Sequence, residues 1–585
     1  MANIYIRLRE LFSWDKSILF LYTLCIANLL IMHYCIAIPY SGIPLDTTHQ
    51  IDNLLGVSFD IMTLYAISYI ITRKRPMTSF VITFVISLLW ALCNVVYARF
   101  FHSYITISSV SDGSSVFDPI VFNSAIHGFK WQDGAFIIIA ILFVVVYHKH
   151  HTSLPKNKPA RILAFHVAFF CFALFLDLFS HTFFCLAQKK YRYITYYTHR
   201  IYDRHIDSYN ALSIPVSTTF YRGSMRVLLQ EAYDRLRGDI TLDDLQKKQI
   251  QSIIAESRNT VNTVPHNRCA THHIIFIIVE SYMAFTSNME INGKEITPFL
   301  NSLRNDSAVY YNGHVKPCIT LGESADGQFI YMTGILPLRS VITLSKAQHC
   351  TLPGLPKVFA QMGMDSRMVI PTPATTWKQA TMCKCYGFNH LYSIDDYHKP
   401  HDASLTDEQL FEHALNYDTQ YKDKPSLSVV LTMSMHHPYN KLIDSSFDVV
   451  SESITDELRC YLNACHYTDN CIAKYFEQLK KIGTYDKSLI VIVADHHVHS
   501  ADFGEGITDD IPLYIINSHL SSNHFWHGSC NQTDIYTTLL DLFNVNTQWY
   551  GMGHSLLNPH YSNSLSSTKW ESSELILKSN YFEEK

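Results

Sequence analysis

Three separated stretches of the chain each end an apolar, β-branched run on side chains able to hold a metal ion. His273–Val279 runs into Glu280, Leu427–Thr432 leads to Ser434, His436 and His437, and Leu489–Ala494 ends at Asp495 and His496. In an open α/β sheet, ligands bind beyond the carboxyl ends of the strands. The three runs therefore deliver Glu, His and an Asp–His pair to one edge of one sheet. Oxygen and imidazole donors of this kind suit a divalent ion such as Zn, Mn or Mg. Such an ion is a Lewis acid for a phosphoryl oxygen and lowers the pKa of a coordinated hydroxyl. Taken singly, a Glu after a strand also reads as a helix cap, and an Asp–His pair as a solvated turn. Their joint occurrence after buried-type strands points to a metal site.

A nucleophile completes such a site. Gly322-Glu323-Ser324-Ala325-Asp326-Gly327-Gln328 is a small polar segment followed by a helical-looking apolar run, Phe329–Thr333. Small neighbours of Ser324 let the backbone approach an anion, and the N-terminus of a following helix favours negative charge. An unaided serine hydroxyl is too weakly acidic to attack, so a metal ion would have to activate it. A serine in such a loop is also a common helix N-cap, and the reading gains its force from the three strand ends.

The elements that must position these residues occupy only the second half of the chain. Of 585 residues, about the first 185 are largely apolar, although the overall hydrophobic fraction is an ordinary 48%. Five segments there could cross a bilayer, which takes roughly 20 apolar residues: Ser17–Ala37, Leu55–Thr72, Thr78–Ala98, Ala135–Tyr147 and Ile162–Phe184. The fourth needs its flanks, Phe129 and Trp131, to span. Basic residues mark the cytoplasmic loops: Arg7, Arg9 and Lys16, then Arg73 to Arg75, then Lys149, Lys156, Lys158 and Arg161. The N-terminus is therefore expected inside and everything after the fifth span outside, although Lys189, Lys190 and Arg192 run against the rule. From Gln188 to about Pro265 the chain reads as an interfacial linker with helices at Arg226–Arg237 and Leu242–Ser257. Beyond it, strand and helix patterns alternate, which predicts an α/β domain with a mainly parallel sheet. The tail after Leu557 reads as loosely held. Net charge is only -5 and no long basic run occurs, so nucleic acid is excluded as a partner. Nine cysteines lie in the soluble half, an odd number without metal-type spacing, so at least one is expected to stay unpaired within the chain.

With these residues in view, the chain resembles the lipoteichoic acid synthase family, membrane members of the alkaline phosphatase and sulfatase superfamily. Val279-Glu280-Ser281-Tyr282, followed by Asn292–Leu303, is similar to that family's opening motif, and the resemblance implies that Glu280 is a metal ligand. Gly322–Gln328 is similar to its nucleophile loop, with Ser324 where family members carry a catalytic Thr. Ser434-Met435-His436-His437-Pro438 matches a motif whose first His contacts the substrate phosphate, which implies that role for His436. Ala494-Asp495-His496 matches the pair that completes the metal site, and Asn531–Tyr536 resembles a structural C-terminal segment. Trp377-Lys378-Gln379 resembles a segment with a Trp and, two residues on, an Arg that binds glycerol phosphate. Here that position is Gln379, which removes a bidentate cationic donor and puts the identity of the headgroup in question.

The resulting expectation is an N-terminal five-helix transmembrane bundle (1–187), an interfacial helical linker (188–267), an extracytoplasmic alkaline-phosphatase/sulfatase-like α/β domain (268–557) and a tail (558–585). One divalent ion, manganese first and zinc or magnesium as alternatives, is held by Glu280, Asp495, His496 and Ser324. Ser324 takes a phosphoglycerol-type headgroup from a membrane phospholipid, and an acceptor alcohol on an envelope glycan, lipid or polymer then receives it. His436, Trp377 and Gln379 would contact the substrate. The alternative is a phosphoethanolamine transferase acting on lipid A or a surface glycan, whose nucleophile motif differs from Gly322–Gln328. A sulfatase needs a Cys/Ser-x-Pro-x-Arg motif, which Cys318-Ile319-Thr320 does not supply. A catalytically silent scaffold would not need Glu280, Ser324, Asp495 and His496 together.

Overall fold

In the computed structural model, the residues described are 16–41, 47–73, 75–101, 103–111, 129–150 and 219–220, then 223–583 apart from 265, 267–268, 340, 499–502, 504–506 and 563–564. The chain divides into two compact units, residues 1–107 with 125–238, and 108–124 with 239–585.

The first unit contains helices α1 (Lys16–Ser41), α2 (Thr47–Ile71), α3 (Pro76–Phe101) and α4 (Gly134–His150), followed by the amphipathic α5 (Ser224–Arg237). All four of α1 to α4 are long and apolar enough to cross a membrane, through Phe20–Pro39, Asn53–Ile71, Pro76–Arg99 and, with the turn before α4, Trp131–Lys149. They match the first four expected spans; the fifth, Ile162–Phe184, lies outside the described residues. Uncapped polar groups are costly in hydrocarbon, and two polar pairs tie these helices together. Asn28 donates to Ser87 (3.1 Å), and Arg99 grips both carboxylate oxygens of Asp133 at 2.8 and 2.6 Å.

The second unit is built on an eight-stranded sheet. Its strands in chain order are β1 (His273–Val279), β2 (Tyr310–Lys316), β3 (Asp365–Val369), β4 (His390–Tyr392), β5 (Ser426–Leu431), β6 (Ser488–Ala494), β7 (Ile511–Ile516) and β8 (Cys530–Asn531). The spatial order is β8-β2-β7-β6-β1-β5-β3-β4. Every neighbouring pair is parallel except β7, which runs antiparallel to both β6 and β2. All residues of β1, β6 and β7 are buried, as continuous Ile/Val runs demand when helices cover both faces. The helices of this unit that matter below are α6 (Asp244–Arg258), α7 (Ser324–Thr333), α8 (Asp407–Gln420), α9 (Asp456–Ile482), α10 (Thr533–Leu542) and α11 (Ser567–Lys578).

Two expectations change. The tail after Leu557 is not loosely held: α11 is an ordered helix that buries Lys569, Ser572, Ser573, Ile576 and Leu577. Lys569 is buried because its ammonium pairs with Glu256 of α6 at 3.0 Å and donates to the Met552 carbonyl. The described part of the expected linker also divides at Gly238, with α5 in the first unit and α6 in the second.

Candidate metal centre and active site

Register places the first two candidate ligands side by side. Val279 of β1 pairs with Ala494 of β6, so the next residues, Glu280 and Asp495, leave the sheet on adjacent parallel strands about 4.8 Å apart. On the other side of β1, Ile278 pairs with Leu431 of β5, and Thr432 Oγ1 beyond β5 accepts the Glu280 backbone N–H at 3.0 Å. The chain turns sharply after Glu280. Ser281 has φ 51°, an uncommon conformation for a residue with a Cβ. It is fastened by its N–H to Asp495 Oδ1 (2.8 Å) and by its hydroxyl to Glu280 Oε1 (2.8 Å).

Ser324 arrives from a different element. It is the first residue of α7, and Glu323 before it holds φ 46°, ψ -120°. The loop is pinned from inside by Asp326, which is fully buried. Its Oδ2 accepts from the Thr320 N–H, the Thr320 hydroxyl and the Gly322 N–H at 2.9, 2.8 and 2.9 Å, and its Oδ1 accepts from the Thr343 hydroxyl at 2.7 Å. A Cβ at Gly322 would meet Asp326 Oδ1 at 2.3 Å, and one at Gly327 would meet the Asp495 carbonyl oxygen at 2.2 Å. The two glycines thus let the nucleophile loop fold onto its own carboxylate and let α7 lie against the end of β6.

The result is convergence. Ser324 Oγ lies 3.1 Å from Glu280 Oε2 and 3.1 Å from His496 Nε2. His496 Nε2 is 3.4 Å from Glu280 Oε1 and 3.6 Å from Asp495 Oδ2, and donor atoms of Glu280, Asp495 and His496 all fall within 4.8 Å of one another. The three side chains are 4%, 3% and 7% exposed, too buried to be a solvated surface cluster. His496 Nδ1 is directed to the His497 carbonyl at 2.6 Å, which leaves Nε2 turned to the cluster, the arrangement that orients metal-binding imidazoles. Asp495 Oδ1 is committed to the N–H groups of Ser281 and His496, leaving Oδ2 for the cluster.

Electrostatics say what is wanted there. Burial, and next the Glu280 charge, push the Asp495 carboxyl up to about 7. Glu280 is held well below the ordinary carboxylate range, because the bond to and charge of His496 outweigh its burial. The same two carboxylates raise His496 far above a normal imidazole, against its own burial. Two buried carboxylates thus compete for one imidazolium in a pocket with no Lys or Arg among its lining residues. A divalent cation satisfies such a donor set of carboxylate, imidazole and hydroxyl, so the residues present fit the ion that the sequence calls for.

The pocket, a narrow cavity of about 20 Å³, is lined by Glu280, Ser324 and Asp495 together with Trp377, Gln379 and Met433. Trp377 packs 6.4 Å from the His436 ring, and His436 is close enough for its charge to lower Glu280. All seven residues singled out from the sequence therefore meet in one place. Gln379 is buried, and its Oε1 accepts from Gln328 Nε2 at 3.3 Å. His437, by contrast, is pushed down to about 3 by burial and by the neighbouring His436, so it stays neutral.

Sequence reasoning missed the residues that hold these in place. Gln532 donates to the Asp495 carbonyl at 2.6 Å and to Tyr331 Oη at 3.0 Å, and Tyr331 Oη donates to the Ala494 carbonyl. Asp407, at the start of α8, accepts from the N–H groups of Met433 and Ser434 at 2.9 and 3.0 Å and from Thr468 of α9 at 2.7 Å. That clamp fixes the loop carrying His436. The available signal was a carboxylate opening a helix behind a Thr–x–x–Gln capping box, which reads as a cap and nothing more.

Comparison with known proteins agrees with this picture. The model of the lipoteichoic acid synthase N-terminal domain matches residues 6–206, and the sulfatase model matches residues 272–545, a stretch that contains Glu280, Ser324, Asp495 and His496. Two curated relatives align along most of the chain. Lipoteichoic acid synthase 2 of Bacillus subtilis (strain 168) is 23% identical over 556 residues, covering 88% of this chain and 80% of that one. Lipoteichoic acid synthase of Staphylococcus aureus (strain USA300) is 25% identical over 506 residues, covering 81% and 73%. The chain is similar to the lipoteichoic acid synthase family in both of its halves. Among solved structures, the chain is similar to the lipoteichoic acid synthase LtaP from Listeria monocytogenes (TM-score 0.48, 20% identity, 57% of this chain and 97% of that one). It is also similar to the lipooligosaccharide phosphoethanolamine transferase EptA from Neisseria meningitidis (TM-score 0.48, 14% identity, 92% and 96%).

Proposed function

We propose that this membrane protein is a metal-dependent phosphoglycerol transferase of cell-envelope polymer synthesis, working through a phospho-Ser324 intermediate. The observation that carries the reading is Ser324 Oγ at 3.1 Å from both Glu280 and His496, in a pocket at the carboxyl edge of a mainly parallel sheet. Curated relatives from Bacillus subtilis, Staphylococcus saprophyticus and Staphylococcus aureus, lipoteichoic acid synthases by name, support the reaction class.

Glu280, Asp495, His496 and Ser324 would hold one divalent ion, manganese by preference. Bound there, it supplies Lewis acidity to the phosphoryl group and acidity to the serine hydroxyl. In the first step Ser324 Oγ, its proton released to water, bonds to phosphorus of a phosphodiester, and the bond from phosphorus to the diacylglycerol oxygen breaks. His436, its ring 6.4 Å from that of Trp377, protonates that oxygen. In the second step an acceptor hydroxyl attacks the phosphorus of phospho-Ser324 and gives its proton to the now neutral His436, while the bond from phosphorus to the serine oxygen breaks and that oxygen takes a proton from water. Trp377 walls the headgroup, and Gln379, anchored by Gln328, offers an uncharged amide to it. Phosphoglycerol carries hydroxyls and no cation, which matches a pocket whose headgroup side presents an amide and an indole.

The fifth span, 162–184, would complete the bundle and carry the chain out of the cytoplasm, leaving the N-terminus inside and the catalytic domain on the outer face with its lipid donor. Purified enzyme offered phosphatidylglycerol and phosphatidylethanolamine in equal amounts tests the reading. Diacylglycerol release from phosphatidylglycerol alone, abolished in Ser324→Ala, is expected; release from phosphatidylethanolamine alone would replace the reading with a phosphoethanolamine transferase.

A further inference from the structure

The membrane unit contains one carboxylate that neither the site nor the spans account for. Asp60 lies inside α2, 1% exposed, seven residues into the apolar stretch Asn53–Ile71. Its two oxygens accept the backbone N–H groups of Ser224 (2.6 Å) and Met225 (3.0 Å), the first residues of α5. A helix N-terminus carries unsatisfied N–H groups and partial positive charge, and a carboxylate answers both. Gly223 makes the approach possible. It holds φ 84°, and a Cβ there would meet Asp60 Oδ1 and the Gly56 carbonyl at 2.6 Å each.

Three more contacts fasten the same segment to the spans. Phe220, fully buried, packs edge-on against His33 and Tyr34 of α1. The Arg226 guanidinium lies 4.8 Å over the Phe59 ring of α2. Glu231 accepts the N–H of Ile107, a few residues beyond α3, at 2.6 Å.

These bonds set a depth. At 1.5 Å per residue, Asp60 lies about 10 Å along the axis from the start of the apolar stretch of α2, so α5 begins within the bundle, and its 14 residues extend about 20 Å. Yet α5 leaves two large side chains uncovered by protein, Leu229 at 58% and Leu236 at 88% exposure. They are one heptad apart and share a face. That exposure is continuous in kind with the outward apolar side chains of the spans, such as Leu54 and Leu55 of α2 and Ile141 of α4.

We propose that α5 is an interfacial helix, fastened to the second span by Asp60 and resting its Leu229–Leu236 face in phospholipid of the leaflet on the catalytic side. The occupant of that face is the glycerol and upper acyl region of the bilayer, the environment in which amphipathic helices of this kind settle. The inference rests on α1 to α4 being membrane spans and on the topology proposed above, and is independent of the reaction assigned to the site.

Site-specific photo-crosslinking in full-length enzyme, reconstituted in bilayer discs of phosphatidylcholine and phosphatidylglycerol, tests it. Leu236→p-benzoylphenylalanine is expected to yield a phospholipid adduct by mass, as should Ile141→p-benzoylphenylalanine within α4. Val450→p-benzoylphenylalanine, a 66% exposed site of the second unit, is expected to yield none. A position 236 that behaves like position 450 overturns the proposal, and an absent adduct at 141 overturns the assignment of α4 as a span on which it rests. In an Asp60→Ala background the adduct at 236 should be lost while that at 141 persists. Retention of both would refute the fastening role of Asp60. Should Asp60→Ala fail to insert, the adduct at 141 disappears too, and position 236 in the native background decides alone.

Discussion

Gly327→Ala offers a sharp test of how the nucleophile helix meets the metal-binding strand. The added methyl carbon would sit 2.2 Å from the Asp495 carbonyl oxygen, 2.8 Å from its carbon and 2.9 Å from its Cα. All three are backbone atoms, and the shortest contact falls 0.8 Å inside the 3.0 Å that real Cβ atoms respect. The Asp495 carbonyl cannot swing away freely, because Gln532 Nε2 holds it at 2.6 Å. Alanine gains about 1 kcal/mol of helix propensity over glycine, but overpacking of this kind costs about 1–3 kcal/mol, so stability should change little or fall modestly. Geometry suffers more. Parting α7 from the end of β6 by about 1 Å displaces Ser324 from Glu280 and His496, and misplacement on that scale costs roughly 100-fold in rate. The assay is diacylglycerol release from phosphatidylglycerol, run beside a thermal melt. A folded Gly327→Ala enzyme that keeps activity within about threefold would refute the claim that this close approach positions the nucleophile.

Other outcomes follow from the same contacts. Asp407→Ala leaves two buried N–H groups of the His436 loop without acceptors, at about 1–3 kcal/mol each. Turnover of alkyl diesters should fall while an aryl diester with a good leaving group is spared, and Asp407→Asn, which keeps the accepting oxygen, should restore most of it; equal loss on both substrates would argue against a proton donor on this loop. Stripping the enzyme with a chelator should abolish turnover and lower the melting temperature, and re-adding an ion at a hundred times its dissociation constant should return about 2.7 kcal/mol of stability. Glu280→Gln should show a much weaker response to the added ion, and an undiminished one would remove Glu280 from the ligand set. Burial pushes the Asp469 carboxyl up to about 7, against the bonds it accepts from the Phe299 and Leu300 N–H groups. The unfolded chain gives up this proton near pH 4, so between about pH 4 and 7 the folded state binds the extra proton and loses stability as pH rises. Asp469→Asn should therefore gain on the native enzyme across that window in thermal melts, and a constant gap would contradict the assignment.

Much of the catalytic unit was legible because its sheet is buried on both faces. Continuous runs such as His273–Val279 and Leu489–Ala494 announce strands, and each run's end announces a ligand. Ser324 was legible from the small residues around it. The support was not, for a physical reason: Gln532, Tyr331 and Asp407 act through backbone groups far away in sequence, and a side chain that bonds backbone leaves no pattern in its own neighbourhood. The tail was misread for a related reason. Residues 558–585 are rich in Ser and charge, but Ser573 is buried by donating to the Leu336 carbonyl and Lys569 by pairing with Glu256, so polarity there marks satisfied burial rather than solvent. The same blindness hid Asp60, whose partners lie 164 and 165 residues away.

Trapping the covalent intermediate examines the central claim most closely. Enzyme mixed rapidly with phosphatidylglycerol, quenched in acid, digested and weighed by mass spectrometry should show one phosphoglycerol group on the peptide containing Ser324. That increment should be missing from Ser324→Ala and from chelator-treated enzyme. An increment on a different side chain, or full turnover by Ser324→Ala, would contradict the account.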